Sequence, residues 1–145
     1  MDAIRHRVGI EAPQARVAEM LTTIEGLATW WTQDVTGAPS VGGTLDFAFG
    51  PGRSLRMDVI EASERRVVWR CAAGPDEWVG NTFSFDLEQT GDETVLKFTQ
   101  LWREPVDFMF HCSTKWAYFL LGLKASLEGG KATPYPGELQ ISRWG

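Results

Sequence analysis

The chain has 145 residues and a formal charge of −5, and it carries seven Trp and eight Phe but only two Cys. That length suits one domain able to bury roughly two-thirds of its unfolded surface. The acidic balance argues against a nucleic-acid backbone as partner, and two cysteines (Cys71, Cys112) without CxxC spacing indicate neither a disulfide framework nor a zinc ribbon.

In chain order, Ile4, His6, Val8 and Ile10 alternate with Arg5, Arg7 and Gly9, which predicts a strand over 4–11 with one buried face. Pro13 suits a helix start. Val17, Met20, Leu21, Ile24 and Leu27 follow at helical spacing, and Gly26 divides 13–31 into two short helices ending near Trp30-Trp31. Three glycines, a proline and a serine make Gly37 to Gly43 a loop.

Five strands are then predicted over 44–102. Leu45, Phe47 and Phe49 point inward, as do Leu55, Met57 and Val59, then Val67, Trp69 and Cys71. Trp78 lies just beyond the Gly74-Pro75-Asp76 loop. Phe83, Phe85 and Leu87, and finally Leu96, Phe98, Gln100 and Trp102, complete the inner rows, with a hairpin turn at Thr90-Gly91-Asp92. Such connections make the sheet antiparallel and cover it on one face. Pro105 ends the last strand.

From 107 to 129 the apolar residues Met109, Cys112, Trp116, Phe119, Leu120, Leu123 and Leu127 fall three and four apart, one face of a long helix. Asp107 is placed to cap its start, with Gly129 and Gly130 at its end. Two dozen residues span roughly 33 Å, about the width of the domain. The tail, 131–145, reads as an edge strand or a dimer contact. No charged start followed by an apolar run and cleavage site opens the chain, and the apolar run from Trp116 to Leu121 is too short to span a bilayer. A cytoplasmic protein without membrane contact is expected.

The fold class expected is α+β, a curved six-stranded antiparallel sheet with two short helices after its first strand and a long C-terminal helix across its concave face. This order resembles the helix-grip fold of the START-like (SRPBCC) superfamily. Within it, four pieces resemble the group named after the activator of the ninety-kilodalton heat-shock chaperone's ATPase. They are Leu27 to Trp31 with its tryptophan pair, and Gly42-Gly43-Thr44-Leu45-Asp46-Phe47. Arg66-Val67-Val68-Trp69 with Trp78 and Thr82 to Phe85 is the third. Trp116 to Lys124 followed by Leu127 to Lys131 is the last. Ser40-Val41 departs from the proline that often precedes the double glycine. The resemblance implies a domain from a superfamily that binds lipids, sterols, polyketides and hormones between sheet and helix. The activator itself is a larger protein with a further domain.

The inner rows meet at Phe47, Met57, Trp69, Phe83, Phe85, Phe98 and Trp102, facing Trp116 and Phe119. They read either as a solid core or as a lined cavity. The expected ligand-binding set is His6, Trp30, Phe47, Met57, Trp69, Trp78, Phe83, Phe85, Phe98, Gln100, Trp102 and Trp116, receiving a small apolar molecule. His6, Gln100 and Glu61 are the inward polar groups. Gln100 needs hydrogen-bond partners once buried.

Chemistry finds little footing. His6 and His111 are candidate acid–base groups. His111 and Cys112 are neighbours, yet adjacent helix residues diverge by about 100°, and spacing gives no support for a metal site from His6, Cys71, His111 and Cys112. Glu104 and Asp107 flank Pro105 at the expected cavity mouth and serve as helix-start charges. No Gly-x-Ser-x-Gly elbow, phosphate-binding glycine loop or His-Glu-x-x-His occurs. No cofactor or metal is indicated. Small-molecule binding is therefore expected ahead of a protein-interaction role of the heat-shock activator type, with a possible homodimer, and ahead of a cyclase- or aromatase-like enzyme.

Overall fold

The computed structural model describes residues 2–145. Seven strands form one antiparallel sheet in the order β1-β7-β6-β5-β4-β3-β2. They are β1 (Asp2–Ile10), β2 (Val35–Gly37), β3 (Thr44–Ala48), β4 (Ser54–Ala62), β5 (Arg66–Ala73), β6 (Thr82–Thr90) and β7 (Glu93–Trp102). Two short helices, α1 (Gln14–Thr22) and α2 (Ile24–Trp30), follow β1, and the long helix α3 (Asp107–Leu127) comes after β7. Helices and inner rows share one core on the concave side.

The alternation read from the sequence sets this arrangement. Every inward residue of β5, β6 and β7 named above is buried, and so are Met109, Cys112, Trp116, Phe119, Leu120 and Leu123 of α3. The other face of the sheet keeps its polar side chains in solvent, where Arg56 pairs with Asp46 at 3.0 Å and Arg66 with Asp86 at 3.4 Å.

Several expectations need correction. The sheet has a seventh strand, because the residues just before the glycine-rich loop pair with β3. The break between the short helices falls at Thr23, whose Oγ1 accepts from the Gly26 N–H at 2.9 Å and caps α2. Gly26 lies inside α2, where a Cβ would come within 2.6 Å of the Met20 Cα and 2.7 Å of the Glu19 carbonyl. Its role is to let the two helices close up. Glu61 does not join the inward row. A register shift between Val59 and Glu61 inserts Ile60 without a partner, which flips the parity and leaves Glu61 exposed. Asp107 is the first helical residue and the cap position falls to Val106, which offers no side-chain acceptor. Gly129, with φ of +90°, does stand just past the helix in the left-handed region.

The tail forms no strand with the sheet. Tyr135 makes one parallel bridge to Thr32, with its N–H on the Trp31 carbonyl and its carbonyl on the Gln33 N–H, both at 3.0 Å. The rest returns along α3.

Candidate functional site: an aromatic cleft under the C-terminal tail

Directly beneath the middle of α3 the interior is filled. Trp116 points from the helix into the sheet, with ring centroids 4.3 Å from Phe98, 4.9 Å from Trp31 and 6.0 Å from Phe83. Trp69 stacks on Trp31 at 5.7 Å and meets Phe85 edge-on at 4.9 Å. Such pairs add to area burial by about 0.5–1.5 kcal/mol each. The Trp116 indole donates to Gln100 Oε1 at 2.9 Å, and the Trp30 indole to the Met20 carbonyl at 2.9 Å.

Toward the N-terminal end of α3 the packing opens into a cleft of about 860 Å³. Trp31, at the end of α2, forms its floor with Trp116. The stripe Phe108, His111, Cys112, Lys115 and Phe119 of α3 makes one wall. Opposite stand Phe49, Arg53 and Leu55 of the β3–β4 hairpin, and Gly74, Pro75, Glu77 and Trp78 of the β5–β6 loop complete the lining. Tyr135, Glu138, Gln140 and Trp144 of the tail form the mouth.

The tail is moored to α3 by polar and aromatic contacts. Lys115 Nζ donates to the Leu139 carbonyl at 3.1 Å and lies 4.0 Å from the Glu138 carboxylate. The Leu139 N–H donates to the Tyr118 hydroxyl, which also bonds Thr133 Oγ1. Ser142 Oγ meets His111 Nδ1 at 2.9 Å, and Trp144 sits edge-on to both His111 and Phe108.

Burial sets the electrostatics. It lowers the Lys115 pKa, against the opposing pull of Glu138 and then Tyr118. It lowers that of His111 as well, and the Lys115 charge adds to the effect. The Cys112 thiol is pushed up to about 12 by burial, with Glu77 adding and the Trp78 indole opposing. At neutral pH Cys112 is therefore a protonated thiol, unsuited to nucleophilic attack. The residue types offer shape, aromatic surface and a few directed polar groups rather than an activated base.

Of the residues expected to bind ligand, Trp78 and Trp116 line the cleft. Trp30, Phe47, Met57, Trp69, Phe83, Phe85, Phe98, Gln100 and Trp102 are buried in the packing behind it. His6 is half-buried on β1, its Nε2 3.0 Å from the Ser113 carbonyl and its ring against Phe98 at 6.5 Å. His111 lines the cleft with its Nδ1 against Ser142 Oγ, and Glu104 and Asp107 lie outside the lining. Both cysteines are free, and no group of three or more His, Cys, Asp or Glu among the described residues could hold a metal ion. The set His6, Cys71, His111 and Cys112 does not come together.

Trp31, Phe49, Arg53, Lys115 and the tail residues line the cleft but stand outside the ligand-binding set expected from sequence. A signal existed for Trp31, the second of the tryptophan pair, and for Lys115, one turn before Phe119. The tail carried none, because its contacts follow no period.

Residues 11–128 match the family described as Activator of Hsp90 ATPase homolog 1-like protein. The chain belongs to this family. A solution structure of the Aha1 dimer from Colwellia psychrerythraea is 43% identical, with a TM-score of 0.84 over 91% of this chain and all of that one. Two more distant likenesses show the fold alone. Protein SSP2350 from Staphylococcus saprophyticus is 17% identical, with a TM-score of 0.76 over 92% of this chain and 97% of that one. CalU16 from Micromonospora echinospora is 17% identical, with a TM-score of 0.77 over 97% of this chain and 75% of that one. No curated protein matches the chain. Like the family's shared fold, this member is α+β with a long C-terminal helix laid across a curled sheet. Among its described residues no helix is long and apolar enough to cross a membrane.

Proposed function

We propose that this family member binds a small apolar or aromatic molecule in the cleft beneath its C-terminal tail, without covalent chemistry. One observation carries the reading: the aromatic faces of Trp31, Trp78, Trp116 and Phe119 converge on an opening of about 860 Å³, the size of small-molecule sites in general. The polar groups around it are few and fixed, which suits orientation of a ligand more than its transformation. The Cys112 thiol is held protonated, and His6 is engaged by the Ser113 backbone.

Native mass spectrometry of freshly purified protein tests this, with a retained small molecule as the expected result. Titration with flavonoids, fatty acids and polyketides should change tryptophan emission, since Trp31, Trp78 and Trp116 would all touch the ligand. A bare protein whose emission is unmoved across that panel would end the proposal.

A second reading, pairing with another copy of the chain, draws on the outer side of α3. Phe110 and Leu121 are eleven positions apart, which returns to the same helix face, and they are 64% and 56% exposed. Leu139 of the docked tail, held at Tyr118, is 63% exposed as well. The related protein from Colwellia psychrerythraea, 43% identical, is described as a dimer. Sedimentation equilibrium of the protein and of its Phe110→Asp variant should show a dimer lost on substitution. A monomer at every concentration removes this reading and leaves the first untouched.

A further inference from the structure

The tail joins the rest of the molecule in two unlike ways. At its root the Tyr135 N–H donates to the Trp31 carbonyl and the Tyr135 carbonyl accepts from the Gln33 N–H, both at 3.0 Å, and the Tyr135 ring packs on Phe49 at 5.9 Å. Beyond the exposed pair Pro136-Gly137 the pattern changes. Among the described residues, no bond between main-chain groups runs from 138–145 to any other part of the chain. Such bonds only close the segment on itself, from the Ile141 N–H to the Gly145 carbonyl at 2.7 Å and from the Gly145 N–H to the Ser142 carbonyl at 3.1 Å. Its outward hydrogen bonds all go to side chains of α3, those of Lys115, Tyr118 and His111. The result is a self-closed tip on a pivot, held by latches on one helix.

The tip crosses the cleft from wall to wall. At the root, a Cβ added to Gly50 would meet the Tyr135 hydroxyl at 3.0 Å, on the side of the β3–β4 hairpin. The chain then runs to α3 and returns to the hairpin at Gly145, whose added Cβ would lie 3.3 Å from Arg53 Nη1. Since α3 and the hairpin are the facing walls, the tip spans the mouth. Beneath it Trp31, Trp116 and Phe119 keep only 3%, 2% and 4% of their surface accessible. The aromatic faces are scarcely reachable while the tip is docked.

Little holds the tip down. Leu139 and Trp144 stay 63% and 52% exposed, so docking buries little apolar area. The Glu138 side chain is 6% exposed with Lys115 Nζ 4.0 Å away, and a desolvated pair at that separation contributes little. A segment bound by a few side-chain contacts opens at far lower cost than the whole domain.

We propose that residues 138–145 are a lid: the tip swings about Pro136-Gly137, and a ligand enters or leaves the aromatic cleft only while the tip is lifted from α3. The match to the family ends at residue 128, so the lid lies outside the part of the chain that the family model shares. This rests on the small-molecule reading above and adds to it the control of access.

Tyr118→Phe combined with Ser142→Ala removes two latches and leaves every lining residue in place. Stopped-flow mixing of the full-length double variant and of the parent with the apolar fluorophore N-phenyl-1-naphthylamine measures entry, and dilution of the complexes measures exit. Losing two hydrogen bonds should raise both rate constants about tenfold. The affinity should hardly change, because the lid opens more easily with and without the probe. Faster exit with unaltered entry would make the tip part of the binding surface, and equal rates in both proteins would mean another entrance. Either result overturns the lid and leaves cleft binding standing. In the unaltered protein the Leu139 amide, corrected for its intrinsic exchange rate, should be at least about tenfold less protected than the Tyr135 and Gln33 amides at the root. Equal protection at tip and root overturns the pivot, whether or not the double variant folds. A probe that binds neither protein ends the lid and the cleft reading together.

Discussion

The indole N–H of Trp116 reaches from α3 across the interior and donates to Oε1 of Gln100 on β7 at 2.9 Å. It ties the helix to the sheet in a region held largely by aromatic packing, and it fixes which way the central ring of the core faces. Both side chains are buried, so neither group can fall back on water if the other is removed.

Gln100→Leu should therefore destabilise the protein by about 1–3 kcal/mol by stranding the Trp116 N–H. A double-mutant cycle with Trp116→Phe should return a coupling energy of about 1 kcal/mol in urea unfolding, since residues in direct contact do not add. Additive losses would mean that the bond contributes nothing. If Gln100→Leu weakened ligand binding with an unchanged melting temperature, the pair would belong to the binding surface.

Gly26→Ala should cost about 1–3 kcal/mol although alanine is the better helix former. The added Cβ would lie 2.6 Å from the Met20 Cα, a backbone atom that cannot rotate away. Prising α1 from α2 also displaces Trp31, so the near-ultraviolet dichroism of the tryptophans should weaken. Thermal and urea melts that match the parent would refute this account of the helix junction.

Cys112 should resist iodoacetamide at about pH 8 while the unfolded chain is labelled fully, because the reactive species is the thiolate. The folded-state pKa, raised to about 12, lies above the ordinary value of 9.0. Between those values the unfolded state gives up its proton first, so stability present below pH 9.0 is lost progressively toward about 12. Cys71 is raised too, chiefly by burial, and contributes with the same sign. Cys112→Ala should flatten part of that alkaline slope in denaturation measured against pH.

Acid should loosen the tail before it unfolds the domain. Burial and Lys115 lower the His111 pKa below 6.5 while Ser142 and Trp144 are docked on it. A proton therefore binds more readily to the undocked form, and docking weakens as pH falls through 6.5. The charged neighbours facing His111 are Lys115, which disfavours the proton, and the Glu138 carboxylate beyond it. The protection of the Leu139 and Trp144 amides against hydrogen exchange, taken relative to their intrinsic rates at each pH, should fall between about pH 7.5 and 5.5. The His111→Gln variant should show no such fall, and the same fall in both proteins would refute the coupling.

The framework of this protein follows from local periodicity. Alternation through Phe47, Trp69, Phe83 and Phe98 defines a sheet with one apolar face, and the stripe from Met109 to Leu123 defines the rod that covers it, because each is a pattern repeated within one element. Departures arose where a single partner breaks the period. Ile60 has no cross-strand mate, so Glu61 turns outward, and Thr23 caps a helix that Gly26 was expected to break.

The site lay beyond the sequence for a related reason. Burial parity is a property of one strand and says that Phe47, Met57 and Trp69 face inward, but not whether atoms or empty space meet them there. Filling depends on Trp31 and Trp116 arriving from two different helices. The opening depends on a tail whose hydrogen bonds to Lys115, Tyr118 and His111 span 15, 21, 24 and 31 residues of chain, with no repeating spacing. Sequence alone determined which surfaces are apolar, since that is composition at fixed intervals. Only tertiary structure decided where those surfaces fail to touch, since a gap belongs to the meeting of several elements and to none of them singly.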